Sequence, residues 1–311
     1  MFGVSVLDES FIGLLRDPDS GASLEALEAG LGTTEGFPPA RYPVEDGIPI
    51  LLTSSQTATA GRAVRDSISL AFRDRSSTYF ADNYGRSGGN PERMARQELV
   101  AAIARARITR DMTVLEAGAG PLILADTLRA LTSDYVALDL SLDNLRVGRE
   151  RVGPVNAVVG DLEALPLRDA TFHAVFAIGC LEYVPDLPET VHQLSRVTRP
   201  GGIVIASFAN QQSPRRWWEE AVVHPLSRGR QRLRRRGDST YRRHLMSPDR
   251  AAELFASKGA TAESTIYLNA GLLGYPLTRF DALRSAQLAL SSRSEHLRSR
   301  ASEFVVVARK G

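Results

Sequence analysis

A chain of 311 residues with 43% hydrophobic side chains is long enough to bury a substantial core. Its 38 basic residues against 36 acidic ones leave a net charge of +2, so the overall charge does not mark a nucleic-acid binder. The single cysteine, Cys180, excludes an internal disulfide and a cysteine-built zinc site, and the lack of a basic-then-apolar leader or of an apolar run near about 18 residues leads to the expectation of a cytoplasmic protein with no membrane span.

In chain order, residues 1–55 read as a small β-rich module held by packing of Tyr42, Val44, Ile48 and Ile50. Residues 56–90 follow as a linker, small and polar at its start, and then as helices carrying Leu70, Phe72, Tyr79, Phe80 and Tyr84. Gly88-Gly-Asn-Pro91 breaks the chain, and Leu99, Val100, Ile103 and Ile108 then recur near helical spacing. From there strands near 113–117, 134–139, 155–159, 172–178 and 203–208 alternate with helices near 121–131, 141–151 and 186–198, the pattern of a parallel sheet. The stretch 209–246 is too long for a plain connection and reads as a helical lid. Ser247, Pro248 and Gly259 mark the cap, first turn and exit of another helix. Strands over 262–268 and 303–309 complete the sheet, with a second insertion at 270–300.

The chemistry-bearing residues cluster at the carboxyl ends of these strands, where open α/β sheets bind ligands. After the first core strand, Glu116-Ala-Gly-Ala-Gly120 forms a tight turn whose glycines permit positive φ and leave room for a close ligand. Asp139 ends the next strand, Gly160-Asp161 the third, and Ile178 the fourth, followed by Leu181-Glu-Tyr-Val-Pro-Asp186; Arg199-Pro-Gly-Gly202 opens the fifth. Pro121 stands where it can serve as a first helical residue, at the cost of one N–H.

This ordered series resembles the class I S-adenosylmethionine-dependent methyltransferases, closely over residues 91–208 and more loosely over 247–310. The resemblance implies an α/β, Rossmann-like, seven-stranded sheet, parallel but for one edge strand, with helices on both faces, within a methyltransferase domain at 91–311. It implies S-adenosyl-L-methionine as cofactor. Asp139 would take the ribose diol, Asp161 the adenine amino group and the Leu162 N–H a ring nitrogen. Glu116 would reach the methionine ammonium, directly or through water. Ala117, Gly118, Gly120, Leu140, Gly160 and Ile178 would line the same pocket, with Tyr84 folded over it. Asp17-Pro-Asp-Ser20 and Arg41 to Leu52 resemble a short zinc-ribbon-like domain that occurs both as a free activator of RNA methyltransferases and fused in front of other methyltransferases; the metal-binding knuckle is lost here, so no metal is expected.

Methyl transfer from a sulfonium needs alignment and water exclusion, and a base only where the acceptor must lose a proton. Glu182 and Tyr183 are placed to line the acceptor side, and His224 or His244, within the lid, could supply the base. His173 starts its strand, roughly 16 Å from the active end at about 3.3 Å per residue. The lid also carries Trp217, Trp218 and eight arginines between 228 and 243. Such a segment is either a solvated face or a grip on a phosphate-bearing substrate, a carrier-protein arm, an RNA backbone or a membrane surface. The expected substrate is therefore a small molecule. The alternatives are an RNA methyltransferase, and a cyclase or cofactor-binding protein that transfers no methyl group. The oligomeric state is open.

Overall fold

The structure, a computed structural model, describes residues 7–28, 30–33, 41–57, 91–215, 244–268 and 299–311. Turn-forming residues crowd the N-terminal part, so its elements are short: α1 (Glu9–Ile12), β1 (Glu25–Leu27), β2 (Gly30–Gly32), β3 (Arg41–Tyr42), β4 (Val44–Glu45), β5 (Ile48–Pro49) and α2 (Ser54–Thr57). β1, β2 and β3 form one small sheet and β4 with β5 a hairpin. Tyr42 and Ile48 are buried, Val44 and Ile50 half-buried.

Longer elements follow: α3 (Pro91–Arg107), β6 (Thr113–Ala117), α4 (Ala125–Leu131), β7 (Asp134–Asp139), α5 (Leu142–Val152), β8 (Asn156–Val159), β9 (Phe172–Ala177), α6 (Leu187–Val197), β10 (Thr198–Asn210), β11 (Leu245–Met246), α7 (Pro248–Ser257), β12 (Ala260–Leu268) and β13 (Glu303–Lys310). Near-continuous apolar runs suit strands buried on both faces, and successive side chains alternate between them. Val114, Tyr135, Ala174, Phe176 and Ile205 join one core with Val100 and Ile103 of α3, Leu128 of α4 and Leu145 of α5. Leu115, Val136, Val175, Ala177 and Val204 join the other with Val191 and Leu194 of α6 and Phe255 of α7.

The strand order is β12-β13-β10-β9-β6-β7-β8, with β11 added beside the end of β10. β6 to β10 run parallel to one another, whereas β13 runs antiparallel to both β10 and β12. The one reversed strand therefore lies inside the sheet, not at its edge as the sequence reading had it.

The N-terminal part is not packed as a separate body. Phe11, Leu15, Leu24, Leu31, Tyr42 and Leu51 belong to the same core cluster as Leu138, Val158 and Leu167. Backbone contacts seal the join: Ile50 bridges Val159 in parallel, and the Leu51 N–H donates to the Val159 carbonyl at 2.8 Å, which covers the outer edge of β8.

Helix ends follow their sequence signals. Ser141 caps α5 through the Asn144 N–H, Asp186 caps α6 through the Glu189 N–H, and Ser247 caps α7 through the Arg250 N–H. The exception is α4, which begins at Ala125 and not near 121; Pro121 lies in the turn before it.

Candidate functional site

Chain order reverses at β6: the path runs through β7 to β8 on one side, then returns to β9 and β10 on the other. Such a switch point opens a crevice at the carboxyl ends of the strands. The loops after β6, β7, β8 and β9 build it.

In the loop after β6, Gly118 and Gly120 have φ of 71° and 52°. The Gly118 and Ala119 N–H groups donate to the Leu138 carbonyl at 2.8 and 2.9 Å, which ties the loop to β7. The two glycines serve different ends. A Cβ on Gly118 would stand 2.6 Å from the Cys180 Cβ, so this glycine makes room for protein. A Cβ on Gly120 would meet nothing within 4 Å, so here the backbone faces open space. Leu122 also takes a left-handed conformation, φ 58°, with its side chain fully buried against Gly148.

Glu116 does not point into that space. It is 4% exposed, its Oε1 accepts from the Leu124 N–H at 3.0 Å, and its Oε2 accepts from the Tyr135 hydroxyl. It fastens the loop before α4, with one donor on each oxygen. Burial raises its carboxyl to about 7, against the lowering effect of the Tyr135 and Leu124 donors.

Asp139 is half-buried at the end of β7, beside the open backbone. Its Oδ2 accepts from the Gly120 N–H at 2.7 Å, and its Oδ1 from the Ser141 N–H at 2.9 Å and from Asn144 Nδ2 at 3.4 Å. A carboxylate offers about four acceptor sites, so capacity remains for a ligand donor. Burial raises the Asp139 carboxyl above the ordinary range, and those N–H donors act against it. Leu140 is half-buried next to it.

After β8, Gly160 lies under Pro166, where a Cβ would stand 2.9 Å from the ring, and its N–H donates to the Asp139 carbonyl at 3.1 Å. Asp161 is half-buried; its Oδ1 accepts from the Glu163 N–H at 2.9 Å, and burial raises its carboxyl. Leu162, whose N–H is the expected ring donor, is buried in the same turn.

After β9 the polar groups come from distant parts of the chain. Ile178 is half-buried and packs on the core face of α3. The Gly179 N–H donates to Ser207 Oγ at 2.8 Å, and the Arg96 guanidinium lies against Gly179 so closely that a Cβ there would stand 2.9 Å from Nη2. Arg96 is itself buried and pairs with Glu303 at 3.0 Å. Cys180 donates through Sγ to the Ala117 carbonyl at 3.4 Å; burial and the nearby Asp139 charge push its thiol up to about 12, so it packs and does not ionise. The side chain of Glu182 has a buried Oε2 with no hydrogen-bond partner among the described residues. His244 sits beside it: its N–H donates to the Glu182 carbonyl at 3.0 Å, and its Nε2 lies 2.7 Å from the Val184 carbonyl. That contact points the Nε2 proton at the Val184 carbonyl. Tyr183 is half-buried in the same turn.

Sequence reasoning missed two residues. Arg96 falls on the apolar stripe of α3, at the spacing shared with Val100, Ile103 and Ala104; a cation where a core residue belongs was the available signal. Asn210, fully buried at the end of β10, donates to the Ser299 and Ala301 carbonyls at 2.8 Å and accepts from the Gln212 N–H, so it anchors the returning chain. β11 pairs with this same strand end, so residues 209–215 and 244–246, the two ends of the long insertion, meet at the crevice. Tyr84, His224, Trp217, Trp218, the arginines of 228–243 and most of the 270–300 insertion lie outside the described residues.

Among the described residues no group of three or more His, Cys, Asp or Glu side chains is arranged to hold a metal, and no helix is long and apolar enough to cross a membrane.

Residues 115–206 match the methyltransferase domain family. The chain is 35% identical over 111 residues to a malonyl-[acyl-carrier protein] O-methyltransferase of Pseudescherichia vulneris, covering 36% of this chain and 44% of that protein. It is 32% identical over 148 residues to a demethylmenaquinone methyltransferase of Renibacterium salmoninarum, covering 47% and 60%. The chain thus spans about half the length of the curated relatives it matches. Among solved structures, the magnesium protoporphyrin IX methyltransferase of Synechocystis PCC 6803 superposes with a TM-score of 0.53 at 14% identity, over 81% of this chain and 100% of that one. A chain from the Haloferax volcanii complex between the Trm112 methyltransferase activator and a methyltransferase superposes with a TM-score of 0.53 at 18% identity, over 77% and 96%. The fold is that of the class I methyltransferases.

Proposed function

We propose that this chain is an S-adenosyl-L-methionine-dependent methyltransferase acting on a small molecule. The observation that carries the reading is the half-exposed Asp139 carboxylate fixed beside the open backbone at Gly120, at the switch point of a methyltransferase fold. The donor set fits the cofactor: Asp139 has acceptor capacity for a ribose diol, and Asp161 presents a second half-exposed carboxylate on the next loop for an amino group. Glu116 acts indirectly, by fastening the loop that both glycines shape. Gly118, Ala117 and Gly160 set the floor through close packing, and Leu140, Leu162 and Ile178 supply apolar walls. Tyr84 is assigned to the cover of this site on the resemblance alone.

When bound, the cofactor supplies an electrophilic methyl group on a sulfonium. The protein's own contribution is alignment, exclusion of water and, for a hydroxyl acceptor, removal of a proton. Glu182 and His244, brought together at the turn after β9, are the candidates for the last. Tyr183 borders the same turn, and His224 is retained as a candidate from the lid. The substrates named for relatives, a carrier-bound malonyl group and demethylmenaquinone, agree with a small or carrier-tethered acceptor; the arginines of 228–243 suit an anionic one.

The N-terminal segment we read as the degenerate ribbon-like module. Asp17 Oδ1 accepts from the Asp19 and Ser20 N–H groups at 2.8 Å each, so a carboxylate holds the turn that a metal knuckle would hold.

Calorimetric titration with S-adenosylhomocysteine tests the reading. The wild-type chain should bind it saturably, and Asp139→Ala should lose about 1.5–3 kcal/mol of affinity, the worth of a charged hydrogen-bond acceptor. Equal affinity in the two proteins refutes the ribose role, and no binding in the wild type refutes the function.

A further inference from the structure

One face of α3 carries two charged side chains where the helix crosses the carboxyl end of the sheet. Arg96 is 7% exposed and pairs at 3.0 Å with Glu303, which stands in register with Ala209 near the end of β10. Glu92, one turn earlier on the same face, pairs with Arg215 just after β10, with 2.9 Å between Oε2 and Nη2. An apolar residue at 96 would continue the stripe of Val100 and Ile103 without desolvating two charges. Buried ion pairs are often worth no more to stability than such a replacement. The pair is better explained by where it holds the guanidinium.

That place is Gly179, at the exit of β9. A Cβ there would stand 2.9 Å from Arg96 Nη2, 3.1 Å from Cζ and 3.2 Å from Nη1. Three distances so nearly equal mean that the flat face of the guanidinium, not its edge, covers the glycine. Gly179 has a φ of 72°, and its N–H donates to Ser207 Oγ at 2.8 Å. The next residue, Cys180, is wedged against the loop after β6, where a Cβ on Gly118 would stand 2.6 Å from its own. The Cys180 carbonyl accepts from the Tyr183 N–H at 3.0 Å. Residues 179 and 180 are therefore confined between α3 and the loop after β6, and the turn they open leads directly to Glu182 and Tyr183.

We infer that Arg96 is a positioning residue for the acceptor side: its guanidinium, aimed by Glu303, fixes the turn after β9 and with it the placing of Glu182 and Tyr183. The inference rests on the methyltransferase reading and extends it to a residue that touches neither cofactor nor acceptor. The role needs the planar fork. A lysine at 96 keeps the charge opposite Glu303 but has no flat face to lay on Gly179.

The full chain and two variants test this: Arg96→Lys, and the apolar pair Arg96→Met with Glu303→Leu. Amide hydrogen exchange, read residue by residue by NMR, should be about tenfold faster at Gly179 and Tyr183 in both variants and unchanged at Leu51 beside β8. The apolar pair should melt no lower than the wild type, which separates loss of position from loss of fold. Affinity for S-adenosylhomocysteine should stay within about twofold, while methyl transfer from tritiated S-adenosyl-L-methionine into a metabolite extract falls at least about tenfold. Wild-type exchange rates in Arg96→Lys, or faster exchange with undiminished transfer, overturn the inference. Failure of the wild type to bind S-adenosylhomocysteine refutes the methyltransferase reading instead, and the exchange rates then still decide whether Arg96 holds the turn.

Discussion

The two halves of the crevice are built differently. Around β6 and β7 each carboxylate is tied to backbone N–H groups only a few residues from its own loop or the adjacent one: Glu116 to Leu124, Asp139 to Gly120 and Ser141. Around β9 the polar groups arrive from far away: Arg96 from α3, Glu303 from β13 and His244 from beyond the long insertion, with one Glu182 oxygen left without a partner among the described residues. A cofactor shared by a whole fold class can be held by local backbone geometry. An acceptor that differs between proteins calls for side chains supplied by variable parts of the chain.

The largest effect should come from breaking the local half. Gly118→Ala places a Cβ 2.6 Å from that of Cys180 at a φ of 71°. Overpacking and left-handed strain together should lower stability by about 3–5 kcal/mol, measured by urea unfolding; a loss below about 1 kcal/mol would mean that Cys180 moves freely and the loop is not rigid.

Glu116→Gln sharpens the same point through pH. The folded carboxyl, raised to about 7 from 4.5, binds its proton more tightly than the unfolded one. Its stabilising contribution is full below about pH 4.5 and is lost as pH rises to about 7, a swing of about 3 kcal/mol as an order of magnitude. The variant cannot titrate there, so its stability should fall less than that of the wild type between pH 5 and pH 8. Parallel pH dependences in the two proteins would show that Glu116 is not held as described.

For the distant half, Glu182→Gln should reduce methyl transfer from tritiated S-adenosyl-L-methionine into a metabolite extract about a hundredfold, the lower end for a general base. Affinity for S-adenosylhomocysteine should stay the same; a parallel loss of affinity would move Glu182 into the cofactor half. The smallest change in stability belongs to Gly120→Ala, about 1–2 kcal/mol of strain at a φ of 52° with no clash. Yet its methyl would enter the open space beside Asp139, so titration should show weakened S-adenosylhomocysteine binding. A variant that binds normally would place the ligand elsewhere.

The same division governed what could be read from the sequence. Strand–turn–helix repeats and acidic strand ends are local, so β6 to β10 and the positions of Asp139 and Asp161 were legible. The inward turn of the Glu116 side chain was not legible, because it is decided by contacts within and beside the loop. Leu122 is one reason: its left-handed backbone delays α4 to Ala125, a choice settled by the space over Gly148 in another helix. Arg96 and Asn210 went unnoticed since their partners, Glu303 and Ser299 to Ala301, lie far along the chain. The antiparallel place of β13 depended likewise on a return path with no local signature.

The seal of Ile50 and Leu51 over β8 bears on how this protein behaves in solution. An outer strand with unpaired amides invites other chains to add to it, and the apolar surface under Leu15, Leu31 and Leu51 would widen the invitation. Removing residues 1–57 should therefore leave material that self-associates and precipitates, even though the loops after β6 and β7 contain none of the deleted residues. A segment without a metal-binding knuckle thus keeps a reason to persist, as the guard against aggregation for the sheet behind it.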